Sequence, residues 1–243
     1  LCDAHRILRT SLQFSGAGET VKTLLVTSAA DREGKSTTSY KLAEEFAALG
    51  RNVLLMDADL RHPRLHHFLE THNRAGLSNL LTNVLPADNV LGLFRPTKNA
   101  RLTFLSAGTI PPNPTNILAS DRMALTLHYC AKKYDIVVID AGPVLNVADA
   151  RILSGKTDAT LLVVAANQVA RKAAKDACKQ LHFAGANVLG VAFSKYAVSE
   201  PSYSSKDRFP ERDTPTISVD SDVVSARAHN TASAHDTSAG FFR

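Results

Sequence analysis

The sequence predicts an α/β fold of the doubly wound type, in which helices flank a mostly parallel sheet. Runs rich in valine, isoleucine and leucine recur along the chain, and stretches of helical pattern separate them. Such nearly continuous apolar runs are typical of strands that are buried on both faces of a parallel sheet. In addition, 44% of the 243 residues are hydrophobic, which is enough to form the core of one domain.

Six apolar runs are the predicted strands. They are VKTLLVT (21–27), NVLLMDAD (52–59), RLTFLSAG (101–108), YDIVVIDA (134–141), ATLLVVAA (159–166) and ANVLGVAF (186–193). Three segments are predicted helices, namely SYKLAEEFAALG (39–50), the long segment NPTNILASDRMALTLHYCAKK (113–133) and KAAKDACKQLHFAG (172–185). Gly50 and Gly185 stand where helices commonly end, and Pro114 stands where one commonly begins.

The composition changes near residue 197. Residues 198–243 are rich in Ser, Thr, Asp and Pro and have too few apolar residues to offset the entropy of ordering, so we expect a disordered tail. The predicted domain comprises residues 1–197, and its first 20 residues are expected to form a helix for oligomerisation. Because the sequence begins with Leu1, we expect a processed chain or a fragment, with space for a membrane anchor upstream.

The charge is unevenly distributed. The net charge is +5, and from Ser199 onward seven acidic residues outnumber five basic ones, so the domain itself carries about +7. A basic domain suits anionic partners, such as nucleotide phosphates or the inner face of a membrane. We expect no nucleic acid partner, because the sequence contains no recognition motif and no series of stacking aromatic residues.

A phosphate-binding loop is predicted at AADREGKSTTS (29–39), between a predicted strand and a predicted helix. In such loops backbone N–H groups point at phosphate oxygens, a lysine neutralises the β and γ phosphates, and a hydroxyl binds magnesium. Lys35 and Ser36 occupy the last two of these positions. The residues predicted to bind the nucleotide are Ala29, Ala30, Asp31, Arg32, Glu33, Gly34, Lys35, Ser36 and Thr37.

Two residues of this loop depart from its usual glycine-rich composition. Ala29 replaces the first glycine of the pattern, which costs little if its φ stays negative. Arg32 stands where glycine is common, and a positive φ at this residue would cost about 1–2 kcal/mol. The Arg32 side chain is either solvated surface or a contact to phosphate.

Acidic residues lie at the carboxyl ends of two other predicted strands. Asp57 and Asp59 are two residues apart in VLLMDADLRHPR, so in an extended chain their side chains lie on the same face. One of them would hold magnesium, and the other would accept a proton or orient water. Asp140 ends the apolar run of YDIVVIDAGPV, where a carboxylate is costly to bury unless a cation meets it. Strand ends of this kind meet at one edge of a sheet, which predicts one phosphate and metal site.

With these motifs the sequence resembles the cytoplasmic kinase domain of the bacterial tyrosine kinases of capsule and exopolysaccharide biosynthesis. The resemblance covers about residues 3–196 and rests on MDADLR, on IVVID with AGP, on RHPRLHHFLE with GLSNLL, and on SAGTIPPNPTNILAS. It implies a P-loop NTPase-like fold with ATP and Mg²⁺ as cofactors. One departure is Ser194, which stands where many relatives have an asparagine that helps to hold the adenine.

The resemblance also implies roles for the site residues. Lys35 and Ser36 would bind the ATP phosphates and magnesium, and Asp59 and Asp140 would serve the metal. Asp57 would be the base that activates a tyrosine hydroxyl. Arg61 would complete the acidic motif as a further catalytic residue.

The implied reaction is autophosphorylation in trans of a C-terminal tyrosine cluster. Only Tyr196 and Tyr203 are candidates for the acceptor, since no tyrosine follows Tyr203. DAHRILRTSLQF resembles the Glu-x-x-Arg-x-x-Arg element that builds rings in the family, with Asp3, Arg6 and Arg9 at the matching positions. On a helix these three residues lie on adjoining turns.

The resemblance further implies a partner and a location. The partner would be a transmembrane modulator, a polysaccharide co-polymerase that is either fused upstream or separate. The kinase would act at the cytoplasmic face of the bacterial inner membrane.

Two other functions fit the same motifs. The first is an ATP-driven oligomerisation switch that does not phosphorylate, which the scarcity of tail tyrosines favours. The second is a partition ATPase, but those proteins carry an extra lysine in the loop where this chain has Ala30.

Overall fold

The computed structural model of the chain describes residues 2–14, 21–82 and 90–195, without the side chains of residues 2, 3 and 14. The predicted tail and the candidate acceptors Tyr196 and Tyr203 lie outside the described residues, as does the predicted boundary at residue 197. Within the described ranges, no helix is both long enough and apolar enough to cross a bilayer.

The domain is built on a seven-stranded sheet. Its strands are β1 (Thr23–Ser28), β2 (Val53–Asp57), β3 (Phe94–Pro96), β4 (Leu102–Leu105), β5 (Ile136–Asp140), β6 (Ala159–Ala165) and β7 (Val188–Ser194). The spatial order is β3-β4-β2-β5-β1-β6-β7, and among the described strands only β3 runs antiparallel to its neighbour. The six predicted strands and the mostly parallel sheet are confirmed. The short edge strand β3 was not predicted.

Helices flank this sheet. They are α1 (Cys2–Phe14), α2 (Lys35–Ala48), α3 (Leu65–Phe68), α4 (Leu77–Thr82), α5 (Pro114–Ala119), α6 (Asp121–Lys133), α7 (Asp149–Ser154) and α8 (Arg171–Phe183), with a 3₁₀ turn at Leu91–Leu93. The prediction of one long helix over residues 113–133 was wrong. The backbone of Ser120 is extended, with φ −62° and ψ 155°, and its hydroxyl accepts the N–H of Met123 at 3.4 Å. Ser120 therefore ends α5 and caps α6, because a serine side chain competes for backbone donors.

Two hydrophobic layers cover the two faces of the sheet. Successive strand residues point to opposite faces, so Leu24 belongs to one layer and Leu25 to the other. The Leu24 layer includes Phe46 of α2, and the Leu25 layer includes Leu127 of α6 and Leu181 of α8. Burial on both faces explains why the strands lack a polar, solvent-facing alternation.

The strand order gathers the polar strand ends. β5 lies between β1 and β2, and Asp57 and Asp140 are direct neighbours across the β2–β5 pair. Val26, two residues before the end of β1, pairs with Asp140 on the other side. The loop after β1 and the two acidic strand ends therefore share one edge of the sheet.

The cap of α6 gives a test of the break in the predicted helix. Ser120→Ala should lower the free energy of unfolding by about 1 kcal/mol, because α6 loses its capping hydroxyl. Chemical denaturation measures the change. Thr126→Ala is the matched control, since the Thr126 hydroxyl only returns to the carbonyl of Arg122 in the same helix. If Ser120→Ala proved as stable as the parent chain, Ser120 would not be the cap.

Candidate active site

The predicted phosphate-binding loop connects β1 to α2. Gly34, directly before α2, has a φ of 91°, and no described side chain caps the helix. An uncapped helix start presents backbone N–H groups and a partial positive charge to an anion. Arg32 has a φ of 62°, the strained value considered from the sequence, whereas Ala29 stays outside the left-handed region.

Glu33 supports the loop from inside the protein. The residue is 1% exposed, and its carboxylate accepts the backbone N–H of Ala30 and, at 3.0 Å, that of Ala165. Burial raises the pKa of Glu33, and the two backbone donors offset part of that rise. The structure thus ties the loop to the end of β6 and places the Glu33 side chain away from the cleft described below.

The end of β7 also holds the loop. The Ser194 hydroxyl donates to the Glu33 carbonyl, and the Lys195 ammonium donates to the Arg32 carbonyl at 2.7 Å. These partners are 161 and 163 residues apart in the chain. They fix the strained backbone at Arg32, and sequence reasoning missed them because nothing local signals so distant a contact.

A cleft of about 460 Å³ lies over the start of α2. Its lining residues are Asp31, Arg32, Gly34, Lys35, Ser36, Thr37, Asp59, His62, Arg64, Phe68 and Lys195. Six of the predicted nucleotide-binding residues thus line one cavity. Ala29, Ala30 and Glu33 do not line it. The cleft has a second wall, formed by residues that follow β2.

Lys35 and Asp59 form a buried ion pair at the floor of this cleft. The Lys35 ammonium lies 2.9 Å from the Asp59 carboxylate, and both side chains are less than 10% exposed. Burial alone would lower the pKa of Lys35, but the nearby carboxylates of Asp140 and Asp59 outweigh it and raise the pKa. Burial likewise raises the pKa of Asp59, and Lys35 more than reverses this effect. Both groups are therefore charged.

Asp140 lies beside this pair with one oxygen unpaired. Its Oδ1 accepts the hydroxyl of Ser39 at 3.0 Å, while its buried Oδ2 has no hydrogen-bond partner among the described residues. Burial raises the pKa of Asp140 to about 6, although Lys35 and the Ser36 hydroxyl lower it. A buried carboxylate oxygen with no donor is costly, which makes this position receptive to a cation.

Asp57 is fully buried and does not line the cleft. Its Oδ1 accepts the backbone N–H of Asp59 at 3.2 Å, and its Oδ2 accepts that of Leu65 at 3.1 Å. Burial and the charge of Asp140 raise the pKa of Asp57 well above its usual value. The Asp57 carboxylate thus stabilises the turn from β2 to α3. It is buried behind this turn and is more basic than an ordinary aspartate.

Arg61 points away from the cleft. Its guanidinium pairs with Asp149 at 2.8 Å and donates to the Thr115 hydroxyl at 2.9 Å, and Thr115 also donates to Asp149. Asp149 is buried at the start of α7. The three side chains join the turn after β2 to α5 and α7. Sequence reasoning had no signal for Thr115.

The predicted oligomerisation residues lie on α1. Arg9 and Arg6 reach the same carboxylate, that of Glu45 on α2, at 3.4 and 3.8 Å. The Arg9 side chain is 11% exposed, whereas that of Arg6 is 59% exposed. The backbone of Asp3 lies in α1, and its side chain is outside the described atoms.

Comparison with known proteins places this geometry in a family. The AAA domain family matches residues 29–184. The tyrosine-protein kinase YwqD of Bacillus subtilis is 33% identical over 214 residues, which cover 86% of this chain and 89% of YwqD. The kinase domain of the Escherichia coli tyrosine kinase ETK superposes with a TM-score of 0.76 at 30% identity, covering 83% of this chain and 79% of that domain.

A second solved structure agrees with these comparisons. The chimerical protein CapA2B2 superposes with a TM-score of 0.75 at 30% identity, covering 80% of this chain and 84% of the chimera. The similarity spans nearly the whole described domain, including the loop, the acidic pair and the third carboxylate. The chain belongs to the bacterial tyrosine-protein kinases.

Proposed function

We propose that this chain transfers the γ-phosphoryl group of ATP to the hydroxyl of a protein tyrosine. The observation that carries the proposal is the floor of the cleft, where the Lys35 ammonium meets the carboxylate of Asp59 beside that of Asp140. An uncapped helix start supplies the phosphate end of the same cavity. The family names of the relatives above support this choice of reaction.

Lys35 acts as the phosphate-binding cation. Its pairing with Asp59 holds the ammonium in place at the N-terminus of α2, within reach of phosphates that lie against the loop. When the nucleotide binds, Lys35 exchanges a carboxylate oxygen for phosphate oxygens. The exchange leaves the Asp59 carboxylate free to bind the metal ion. Arg32 and Lys195, at the rim of the cleft, add positive charge around the phosphates.

Magnesium fits the group formed by Ser36, Asp59 and Asp140. The unpaired Oδ2 of Asp140 is the observation that supports it, and carboxylate and hydroxyl oxygens suit this hard cation. Among the described residues, no group of three His, Cys, Asp or Glu side chains is arranged to hold a metal by itself. Phosphate oxygens and water would complete the coordination, and the ion would neutralise charge on the phosphates.

Asp57 is the proposed proton acceptor. Its environment raises its pKa, while Lys35 lowers that of Asp59, so the two carboxylates are suited to different tasks. Because Asp57 is fully buried and does not line the cleft, a tyrosine hydroxyl reaches a free lone pair of its carboxylate only if the residues that cover it move. The turn that leads into α3 must therefore shift when the acceptor enters. Asp59 then positions the phosphates and the metal ion.

The cellular setting is also a proposal. By family resemblance we place the kinase at the cytoplasmic face of the bacterial inner membrane, in capsule or exopolysaccharide biosynthesis and export. A transmembrane modulator would activate it, and Asp3, Arg6 and Arg9 of α1 would join copies into a ring. Tyr196 and Tyr203 are the proposed autophosphorylation sites.

A second candidate function is an ATP-driven oligomerisation switch without phosphoryl transfer. It is favoured by the small number of tyrosines from the end of the domain onward, where the sequence has only Tyr196 and Tyr203. The two functions share nucleotide binding. They differ in whether phosphotyrosine forms, and the following experiment decides between them.

Incubation with Mg²⁺ and ATP should produce phosphotyrosine on the purified chain, and Lys35→Met should abolish it. The same substitution at Lys41, which is exposed on α2 and pairs with Glu44, is the matched control and should keep the signal. Phosphotyrosine immunoblotting and mass spectrometry provide the readout. Nucleotide binding without any phosphotyrosine would favour the switch, and a signal that survives Lys35→Met would contradict the site.

Asp57→Asn and Asp59→Asn should fail in different ways. Asp57→Asn should lower kcat by about 10²–10⁴, the usual contribution of a general base, with little change in KM for ATP. Asp59→Asn should weaken binding of Mg²⁺–ATP, because it removes a partner of both Lys35 and the metal. Steady-state kinetics at varied ATP separates the two. Parent-like transfer by Asp57→Asn would remove Asp57 from the mechanism.

Asp140→Asn should stabilise the nucleotide-free chain by about 1–2 kcal/mol at pH 7, because it removes a buried charge whose pKa is raised. A carboxylate with a raised pKa destabilises the fold above that pKa, so the gain should shrink as the pH falls from about 6 towards 4. The additional stabilisation that Mg²⁺ gives to the ATP-bound chain should be lost. Thermal unfolding measures both effects.

Asp176→Asn in α8 is the control for this substitution. Its carboxylate has no hydrogen-bond partner among the described residues, so neither the stability nor the Mg²⁺ effect should change. A loss of stability in nucleotide-free Asp140→Asn would contradict the assignment of Asp140 as an unsatisfied buried charge.

A further inference from the structure

The wall of the cleft opposite the phosphate-binding loop has no part in the mechanism so far. It consists of His62, Arg64 and Phe68, which belong to the turn after β2 and to α3. This wall is fixed to the proposed base, because the Leu65 N–H donates to Asp57 at 3.1 Å. Arg64 and Phe68 line the cleft on either side of Leu65 in the chain, so a hydroxyl that moved from the cleft towards Asp57 would pass this wall, the entrance for the acceptor.

Phe68 is an exposed aromatic ring at this entrance. It is 42% exposed and stacks on Tyr40 of α2, with ring centroids 5.7 Å apart and planes inclined by 25°. A large apolar side chain left open at a catalytic cleft is a natural contact for another aromatic ring. Tyr40 holds the Phe68 ring in place, and Tyr40 is itself fixed because its hydroxyl donates to Glu44 on the next turn of α2.

Phe68 also lines a second cavity, of about 540 Å³. This groove is also lined by Leu69, by Pro96 on the edge strand β3 and by Phe104 on β4. The two cavities share Phe68, so an extended peptide that passes over this ring can occupy both. The groove has the mixed apolar and polar lining that peptide segments use.

Arg64 supplies an unpaired positive charge beside Phe68. The residue is exposed, lines the cleft, and has no ion-pair partner among the described side chains. By contrast, Arg61 is engaged by Asp149, and Lys195 is held by the loop carbonyl of Arg32. The free guanidinium at the acceptor side of the cleft is therefore suited to a carboxylate that accompanies the acceptor.

We propose that Arg64 and Phe68 form the acceptor site, which takes a tyrosine with an acidic residue a few positions away. The tyrosine ring packs on Phe68, the acidic side chain pairs with Arg64, and the rest of the peptide lies in the groove towards β3. The occupant is a tyrosine peptide of this kind presented by a second copy of the chain. Both candidate acceptors fit this chemistry, because Glu200 is four residues after Tyr196 and three before Tyr203.

This inference rests on the proposed tyrosine kinase function, but its binding step is tested without phosphoryl transfer. The probe is the labelled, end-blocked peptide VSEPSYSS (198–205), measured by fluorescence anisotropy against the full chain with Mg²⁺ and a non-hydrolysable ATP analogue. Arg64→Ala should weaken binding by roughly two- to fivefold, because the ion pair is exposed. Replacing Glu by Gln in the peptide should have the same effect on the parent chain and none on Arg64→Ala.

Charge reversal sharpens the test. Arg64→Glu should prefer the peptide VSKPSYSS, with Lys in place of Glu, over the parent sequence. Phe68→Ala should weaken all three peptides, whereas Phe68→Tyr should retain binding because it keeps the ring. His67→Ala is the control, since His67 is exposed on α3 but lines neither cavity.

Kinetics with the same peptides as acceptors separates the possible roles. The proposal predicts that Arg64→Ala raises KM for the peptide and leaves KM for ATP unchanged. It is overturned if Arg64→Ala raises KM for ATP instead, or if the parent chain does not distinguish the Glu and Gln peptides. Peptide binding that depends on Arg64 without any phosphotyrosine formation would retain the acceptor site and overturn only the kinase function.

Discussion

The structure of the site depends on one buried charge balance, in which the Lys35 ammonium faces the carboxylates of Asp57, Asp59 and Asp140. Removing four charged groups from water is costly, and a single ammonium pairs directly with only one of the carboxylates. Burial raises the pKa values of Asp57 and Asp140, and the neighbouring carboxylates add to the rise. The site is therefore suited to bind a divalent cation, and the raised pKa of Asp57 suits a proton acceptor. The same excess of negative charge lowers the stability of the nucleotide-free domain. Such a cost at a functional site is expected, since activity and stability compete for the same residues.

The rest of the fold provides what this balance needs. Parallel strands β2, β5 and β1 are adjacent, so their ends bring two acidic segments beside the phosphate-binding loop. The ends of β6 and β7 then hold the loop through Glu33 and Lys195, in a conformation with a positive φ at Arg32. These hydrogen bonds join side chains to backbone groups, and they fix the loop before α2 without using Lys35, Asp59 or Asp140. Hydrophobic layers on both faces of the sheet supply the rigidity.

Much of this arrangement could be predicted from the sequence, because its signals are local. Apolar runs gave the six long strands, and the loop pattern gave the phosphate end of the cleft. Two kinds of feature could not be predicted from the sequence. Ser120 interrupts a helical pattern because its hydroxyl caps the next helix, a local competition that helical periodicity hides. The inward position of Glu33 and the pairing of Arg61 with Asp149 depend on contacts with distant segments, and neither spacing nor composition carries that information.

The central claim is that Lys35 exchanges Asp59 for the phosphates of ATP while Asp140 turns its unpaired oxygen to magnesium. A crystal structure of the chain with Mg²⁺ and a non-hydrolysable ATP analogue tests it most directly. The account predicts that the Lys35 ammonium leaves the Asp59 carboxylate, which lies 2.9 Å away in the structure described above, and contacts the β and γ phosphates. It also predicts Ser36 and Asp140 on the magnesium side. A complex in which Lys35 stays on Asp59 and the phosphates lie outside the first turn of α2 would contradict it.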